Sequence, residues 1–300
     1  MNQNIHYTFC PICHSNFIQP IFSAKDYSVS NATFSIWECQ DCKGRFTQDI
    51  PSESAIGTYY QSENYISHSD TKNGIVNRLY HWVRSITLQQ KRKFITQIGT
   101  DANKSILDVG AGTGAFANTM QLAGWKVTGI EVDAGARQIA ASKFNLQFFL
   151  PNFLYQIPPE TFQIITLWHV LEHVHDLHGY MKIFRQSLQP NGKLVIAVPN
   201  YTSYDAKYYQ QYWAAYDVPR HLYHFSPDSM ANLAAQHGFV IQQYQSMPFD
   251  SFYVALLSEQ YKSGKSNFLN AGWVGIRSTF KMWRDTKNCS SVIYVLEKIN

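Results

Sequence analysis

Between Ser105 and Ile130 the spacing of hydrophobic positions changes twice. Ser105-Ile106-Leu107-Asp108-Val109 is a short apolar run, Gly110, Gly112 and Gly114 then alternate, and Phe116, Ala117, Met120 and Leu122 follow at helical spacing. The pattern predicts strand, tight turn, helix. Gly124-Trp125 turns the chain into a second strand over Lys126 to Glu131, a helix follows over about 134–144, and Leu146 to Phe149 reads as a third strand. Phe162 to Trp168 is a fourth strand and Lys193 to Val198 a fifth, separated by a helix carrying Tyr180, Ile183, Phe184 and Leu188 and by the turn Gln189-Pro190-Asn191-Gly192. Strands alternating with helices predict an α/β fold built on a parallel, doubly wound sheet.

The flanks follow other patterns. Phe34-Ser35-Ile36-Trp37-Glu38 alternates as a strand does, and residues 52–72 are polar with tyrosines Tyr59, Tyr60 and Tyr65, a linker or short helix whose tyrosines could close as a lid. Ile75, Leu79, Trp82, Val83, Ile86 and Phe94 then predict a long amphipathic helix ending near Gly99. Downstream, Ser226-Pro227-Asp228 opens a helix that Gly238 closes, Val240 to Ser246 is a strand, residues 250–288 read as helical, and Ser291 to Glu297 is a final strand.

The glycine turn cradles a nucleotide. Gly110 and Gly112 let the backbone approach a ligand, and the helix N-terminus offers unpaired N–H groups. Gly110, Gly112 and Ala115 also satisfy the dinucleotide pattern G-x-G-x-x-G/A, with Glu131 about 20 residues on, so an NAD-binding oxidoreductase is an alternative. Asp108 disfavours it. An acid just before the glycines repels a pyrophosphate and attracts the ammonium of an amino-acid-like ligand.

The segments ILDVGAGTG (106–114), VTGIEVD (127–133), TLWHVLEHV (166–174) and LQPNGKLVIAVPN (188–200), in that order, resemble class I S-adenosylmethionine (SAM) dependent methyltransferases over residues 101–245. The resemblance implies a Rossmann-like methyltransferase sheet and a SAM site made of Asp108, Gly110, Ala111, Gly112, Glu131, Val132, Asn152, Phe153, Trp168 and His169. Within it, Glu131 takes both ribose hydroxyls, Asp133 is its neighbour, and Asn152 and Phe153 meet the adenine. Gln163 stands where many relatives carry Asp. His169, Glu172 and His173 match H-x-x-E-H, a zinc-protease pattern, but their place directly after a buried strand argues against that reading. Glu172, His173 and His175 either pack and cap a helix or assist a cation.

The stretch Trp213-Ala214-Ala215-Tyr216-Asp217-Val218-Pro219-Arg220-His221-Leu222-Tyr223-His224-Phe225 is too long and aromatic for a plain connector, and is similar to the W…D-x-P-R-H-L-x-H-F segment of this group. The resemblance makes Trp213, Tyr216, Arg220 and His221 the wall of an acceptor site; the alternative is that Arg220 pairs with Asp217 to pin the loop. Methyl transfer needs a base when the acceptor is a hydroxyl or carbon acid, and His169 and His221 are the candidates.

Cys10-Pro11-Ile12-Cys13 and Cys39-Gln40-Asp41-Cys42 have the spacing of a four-thiolate structural zinc site, with His14 a substitute ligand. A redox dithiol pair and a catalytic zinc are the competing readings, the latter weakened because four thiolates leave no open position. Small-molecule methyltransferases, including ubiquinone-biosynthesis-type and deoxysugar C-methyltransferases, form the group this chain resembles, and some of the sugar enzymes carry such a ribbon. The long C-terminal domain of the sugar enzymes is missing here, which argues against a sugar acceptor.

Composition adds little. A net charge of +4 with 45% hydrophobic residues fits an ordinary globular chain, and apart from Lys91-Arg92-Lys93 the basic residues are scattered, so nucleic acid is not expected as a partner. Neither a signal peptide nor an apolar span is evident, so the expected location is the cytoplasm. The expected organisation is a small zinc ribbon at 1–52, a linker and helix at 53–100, and a methyltransferase domain at 101–300 with a substrate lid at 201–225 and a helical insertion at 250–288. The function expected is SAM-dependent methylation of a small molecule; a zinc-ribbon binding module with a vestigial SAM site is a second alternative.

Overall fold

A computed structural model describes residues 4–60, 75–100, 104–247, 250–265 and 267–299, with side chains of the first long helix described from Ser85 onward. Tyr65 and the side chains of Ile75, Leu79, Trp82 and Val83 lie outside the described residues. The chain divides into two compact units. One comprises Met1–Tyr65, His169–Leu177 and Ala197–Val295, the other Ile66–Trp168, His178–Ile196 and Leu296–Asn300.

In the first unit, β1 (Asn4–Ile5) pairs with β5 (Ile50–Pro51), and between them run β2 (Ile18–Lys25), β3 (Thr33–Cys39) and β4 (Arg45–Thr47). The second unit opens with α1 (Ile75–Ile98), then β6 (Ser105–Val109), α2 (Ala115–Leu122), β7 (Lys126–Ile130) and α3 (Ala134–Phe144). β6 is buried at all five positions, which is why it reads as an unbroken apolar run, and it pairs in parallel with β7 on one side and β8 (Phe162–Trp168) on the other. Asp133 caps α3, its Oδ1 accepting the Ala136 N–H at 2.6 Å.

Leu146 to Phe149 does not form a strand; a single bridge, Ile130 to Phe149, is all that pairs there. The cause is local, because Pro151 follows at once and the chain turns into a short 3-10 segment, Pro151–Gln156. The chain continues through α4 (Leu177–Ser187) and β9 (Leu188–Pro199), then α5 (Tyr204–Tyr209), β10 (Tyr223–His224), α6 (Pro227–Gln236), β11 (Phe239–Ser246), α7 (Asp250–Ser263), α8 (Phe268–Arg284) and β12 (Ser291–Lys298). β9 begins earlier than the sequence pattern suggests, absorbing the expected Gln189–Gly192 turn, with Asn191 left-handed at φ 62. The large sheet has the order β11-β12-β9-β8-β6-β7. α6 starts where Ser226-Pro227-Asp228 implies: Ser226 Oγ accepts the Ser229 N–H while Ser229 Oγ accepts the Ser226 N–H.

A second sheet of the first unit has the order β10-β4-β3-β2. β10 is thus an added strand on the cysteine-bearing hairpins, with Tyr223 opposite Phe46 and His224 opposite Arg45. Ala24 and Ile36 share one apolar cluster with Tyr201, Tyr209, Trp213, Tyr216, Val218, Ala255, Ala271 and Val274. The ribbon and the aromatic stretch therefore bury their apolar faces on each other.

Candidate functional site

The turn after β6 is shaped by three glycines with φ of 69°, 54° and 84° at Gly110, Gly112 and Gly114, the left-handed region that side chains resist. The Gly110 and Ala111 N–H groups both donate to Ile130 O, at 2.8 and 2.9 Å, closing the turn onto β7. A Cβ at Gly112 would meet nothing within 4 Å, so the bare backbone faces space that a ligand can occupy. Glu131 stands beside it, Oε2 accepting the Gly112 N–H at 2.7 Å and Oε1 the Asp133 N–H at 2.8 Å. An ionised carboxylate has about four acceptor positions, so each oxygen keeps one for a ligand hydroxyl.

Asp108 is buried and accepts a hydrogen bond from Thr166 Oγ1 at 2.8 Å. Burial pushes its pKa up to about 7, more than the Thr166 bond and the nearby Lys91 charge pull it down. A cationic ligand group here would hold the carboxylate ionised. Phe153 stacks on Phe149 with ring centroids 3.9 Å apart, while Asn152 and Val132 are exposed. Trp168 meets Phe116 edge to face at 5.4 Å, and Lys91 Nζ lies 4.1 Å from its ring centre.

His169 follows β8 in a left-handed conformation, φ 58°. Its Nε2 lies 3.1 Å from Asp250 Oδ2 and its Nδ1 3.3 Å from Glu172 Oε1. Burial alone would lower its pKa, but the two carboxylates outweigh burial and hold it at about 9, so the ring is a cation at neutral pH. Glu172 and His173 sit on a 3-10 turn, Leu171–His173, and not on the α-helix that a zinc-protease motif requires. Glu172, His173 and His221 bring their ligand atoms within 4.8 Å of one another, a set that could hold a cation; His175 instead places Nε2 3.0 Å from Pro51 O. His173 is held neutral, pushed down to about 4 by burial and then by the neighbouring His221 charge.

The Trp213–Phe225 stretch is committed to internal contacts. Trp213 Nε1 donates to Asp205 Oδ2 at 2.8 Å, and Tyr216 accepts from Arg45 Nη1 at 2.9 Å. Arg220 is 1% exposed; it donates to both oxygens of Asp217 at 2.6 and 3.0 Å, to Asp26 Oδ1 at 3.2 Å and to Tyr59 O at 2.8 Å. Its guanidinium is thereby held firmly charged; despite burial, Asp217 is held below the usual carboxylate range chiefly by Arg220, and Asp26 first by the Ser30 N–H and hydroxyl and then by Arg220. His221 Nδ1 lies 2.8 Å from Ala215 O. A carbonyl only accepts, so Nδ1 donates here, and Nε2 lies 3.9 Å from Asp217 Oδ2.

Cys10, Cys13, Cys39 and Cys42 place their sulfurs within 4.8 Å of one another, with Cys10 to Cys42 at 3.7 Å and Cys13 to Cys39 at 3.5 Å. The Ile12 and Gly44 N–H groups each donate to a sulfur at 3.4 Å. Those amides favour thiolates, and four thiolates at this separation fit a tetrahedral metal.

A methyltransferase-domain family model matches residues 81–244, more than half of the chain. The chain belongs to this methyltransferase family. Among its relatives, a demethylmenaquinone methyltransferase of Tropheryma whipplei is 32% identical over 110 residues, 35% of this chain and 46% of that protein. A mitochondrial ubiquinone biosynthesis O-methyltransferase of Schizosaccharomyces pombe is 29% identical over 133 residues, covering 40% and 47%. The chain thus spans about half the length of these curated relatives. A structure described as a putative sarcosine dimethylglycine methyltransferase from Galdieria sulphuraria shares the fold, with a TM-score of 0.50 at 14% identity over 74% of this chain and 88% of that one.

In this methyltransferase the structure gathers Asp108, Gly110, Ala111, Gly112 and Glu131 around one turn, and Cys10, Cys13, Cys39 and Cys42 around one point. Trp213, Tyr216 and Arg220 lie buried among protein partners. Sequence reasoning missed Thr166 beneath Asp108, Asp250 beside His169, and Asp26 beside Arg220. Asp250 had one legible signal, an acid in the first turn of a helix. Asp26 had none, standing 194 residues from its partner.

Proposed function

We propose that this protein is a SAM-dependent methyltransferase acting on a small molecule that carries a hydroxyl or an acidic C–H group. The observation that carries the reading is the pairing of a bare glycine turn with two buried carboxylates, Asp108 and Glu131, where a dinucleotide fold would bring pyrophosphate against Asp108. Asp108 holds the ammonium, the Gly110 to Gly112 backbone receives the amino-acid portion, and Glu131 takes the ribose hydroxyls. Phe153, backed by Phe149, offers a stacking face for the adenine, with Asn152, Val132 and Trp168 completing the site. Bound SAM supplies an electrophilic methyl on a sulfonium whose departure needs no proton. The protein's share of the work is then alignment, and alignment can be worth about 7–11 kcal/mol.

His221 is the base in this reading: Nδ1 is engaged with Ala215 O, which leaves Nε2, beside Asp217, as the ring atom that exchanges a proton. His169, a cation at pH 7, stabilises negative charge developing on the acceptor and does not take its proton. Trp213 and Tyr216 shape the acceptor wall from behind, while Arg220 pins it through Asp217 and Asp26. The names of the relatives, methyltransferases of demethylmenaquinone and ubiquinone biosynthesis, agree with an acceptor of this chemistry. Zinc bound by the four cysteines is structural, and the working place is the cytoplasm.

Parallel calorimetric titration with SAM, S-adenosylhomocysteine and NAD tests the cofactor. Binding of the first two and not of NAD is expected; NAD binding without SAM binding would overturn the reading. For the base, His221→Ala should abolish turnover of an identified acceptor with SAM affinity unchanged, and unaltered kcat would refute that role.

A further inference from the structure

α8 has two apolar faces. Ala271, Val274, Gly275, Ser278 and Met282 point inward, the expected stripe of a surface helix. On the opposite side Leu269, Trp273, Ile276, Phe280 and Trp283 recur at steps of four and three, and all five are exposed, Leu269 at 89% and Trp283 at 77%. This outward stripe lies within a narrow sector of the helix, so it forms one continuous ridge of large side chains, two of them tryptophan.

The charges around it have one sign. α8 contains Arg277, Lys281 and Arg284 and no acidic residue, and all three are exposed. The Arg277 guanidinium lies 4.6 Å from the Trp273 ring centre and that of Arg284 4.9 Å from Phe280, so the cations border the apolar ridge. Between Lys262 and Lys287 there are six basic residues against one acid, Asp285, which is engaged with the Lys287 N–H and the Asn288 side chain. The rest of the chain has 19 basic and 20 acidic residues, so the excess positive charge of the whole protein is concentrated on this segment.

From this ridge and its cationic border we infer that α8 seats the protein on an anionic phospholipid surface, lying in the plane of the interface without crossing it. Tryptophan and phenylalanine enter the headgroup boundary, and lysine and arginine meet the lipid phosphates; a polar aqueous protein surface would not recover the exposed apolar area in this way. A second copy of the chain is the less suitable occupant. Packing two ridges together would bring Arg277, Lys281 and Arg284 of both copies side by side with no carboxylate on either helix to answer them. The inference does not depend on the reaction proposed above.

The test is co-sedimentation of the full chain with vesicles of phosphatidylcholine alone and of phosphatidylcholine mixed with phosphatidylglycerol. Binding at least about tenfold stronger to the anionic vesicles is expected, weakening steeply with salt. Trp273→Gln with Trp283→Gln should lose about tenfold or more on those vesicles, and Arg277→Glu with Lys281→Glu should erase the preference between the two lipids. Because all four side chains are exposed, thermal melts matching the parent are expected and establish that the variants fold. Equal binding to both lipids, absence of binding to either, or variants that bind like the parent would overturn the proposal. So would light scattering that shows a dimer dissociated by the tryptophan changes in a protein that ignores vesicles.

Discussion

The glycine turn and the Trp213–Phe225 stretch are held in opposite ways. Around the turn, Glu131 bonds Gly112 across 19 residues and Asp133 across two, and Asp133 caps the helix that begins at the next residue. The stretch reaches much further: Tyr216 to Arg45 spans 171 residues, His221 O to Thr47 spans 174, and Arg220 to Asp26 spans 194. The first region is a local motif that a short window specifies. The second exists only when the cysteine-bearing hairpins are folded beneath it, since β10 is a strand of their sheet. The small N-terminal module is therefore a foundation for the base candidate His221, through Thr47 and Arg45, as well as the place where the four cysteines converge.

If that contrast is correct, cutting the foundation should do the most damage. Cys39→Ser is expected to lose stoichiometric zinc in elemental analysis and to melt roughly 10 °C or more below the parent, given that structural zinc contributes about 10–16 kcal/mol in small fingers and 1 kcal/mol moves a domain of this size by about 2–4 °C. The loss should extend to activity through His221. A variant that keeps full activity and melting temperature without zinc would break the comparison.

Arg220→Ala comes next, because it removes the cation shared by buried Asp26 and half-buried Asp217, at a cost of up to about 3–5 kcal/mol, moderated by the Ser28, Val29 and Ser30 bonds that Asp26 keeps. Combining it with Asp26→Asn and Asp217→Asn should restore part of the stability in a denaturant melt. If Arg220 instead contacts the acceptor, the single variant melts normally and KM rises.

On the local side, Glu131→Ala should weaken SAM binding by up to about 1.5–3 kcal/mol for each lost ribose hydrogen bond, measured by calorimetry, with little change in melting. The same change should not affect zinc content, and a fall in zinc would show that the two regions are coupled more tightly than their bonding implies.

The smallest effect is a pH dependence. Asp108 has a pKa raised to about 7, so in the unliganded fold it is protonated below that pH, while a SAM ammonium requires the anion. Affinity should fall as pH drops below 7, by up to about tenfold per unit, with a proton released on binding. Asp108→Asn should bind weakly at every pH with the slope gone; a slope that persists would assign it to another group.

Much of the fold is visible in the sequence. The order of strands and helices from Ser105 to Val198, the glycine conformations, the cap at Ser226 and the two cysteine pairs are each written in a handful of adjacent residues, because hydrogen bonds and periodicity over one or two turns do not need the remainder of the chain. Leu146 to Phe149 failed as a strand for an equally local reason, the proline two residues on, which apolar content had masked. Tertiary structure alone decided the partners. Arg220 reads as a ligand-binding cation until Asp26 arrives from the far hairpin, and His169 reads as a base until Asp250 and Glu172 turn it into an acid. Whether a charged side chain is spent inside the protein or kept for a ligand depends on which distant groups share its low-dielectric surroundings, and sequence separation carries no record of that proximity.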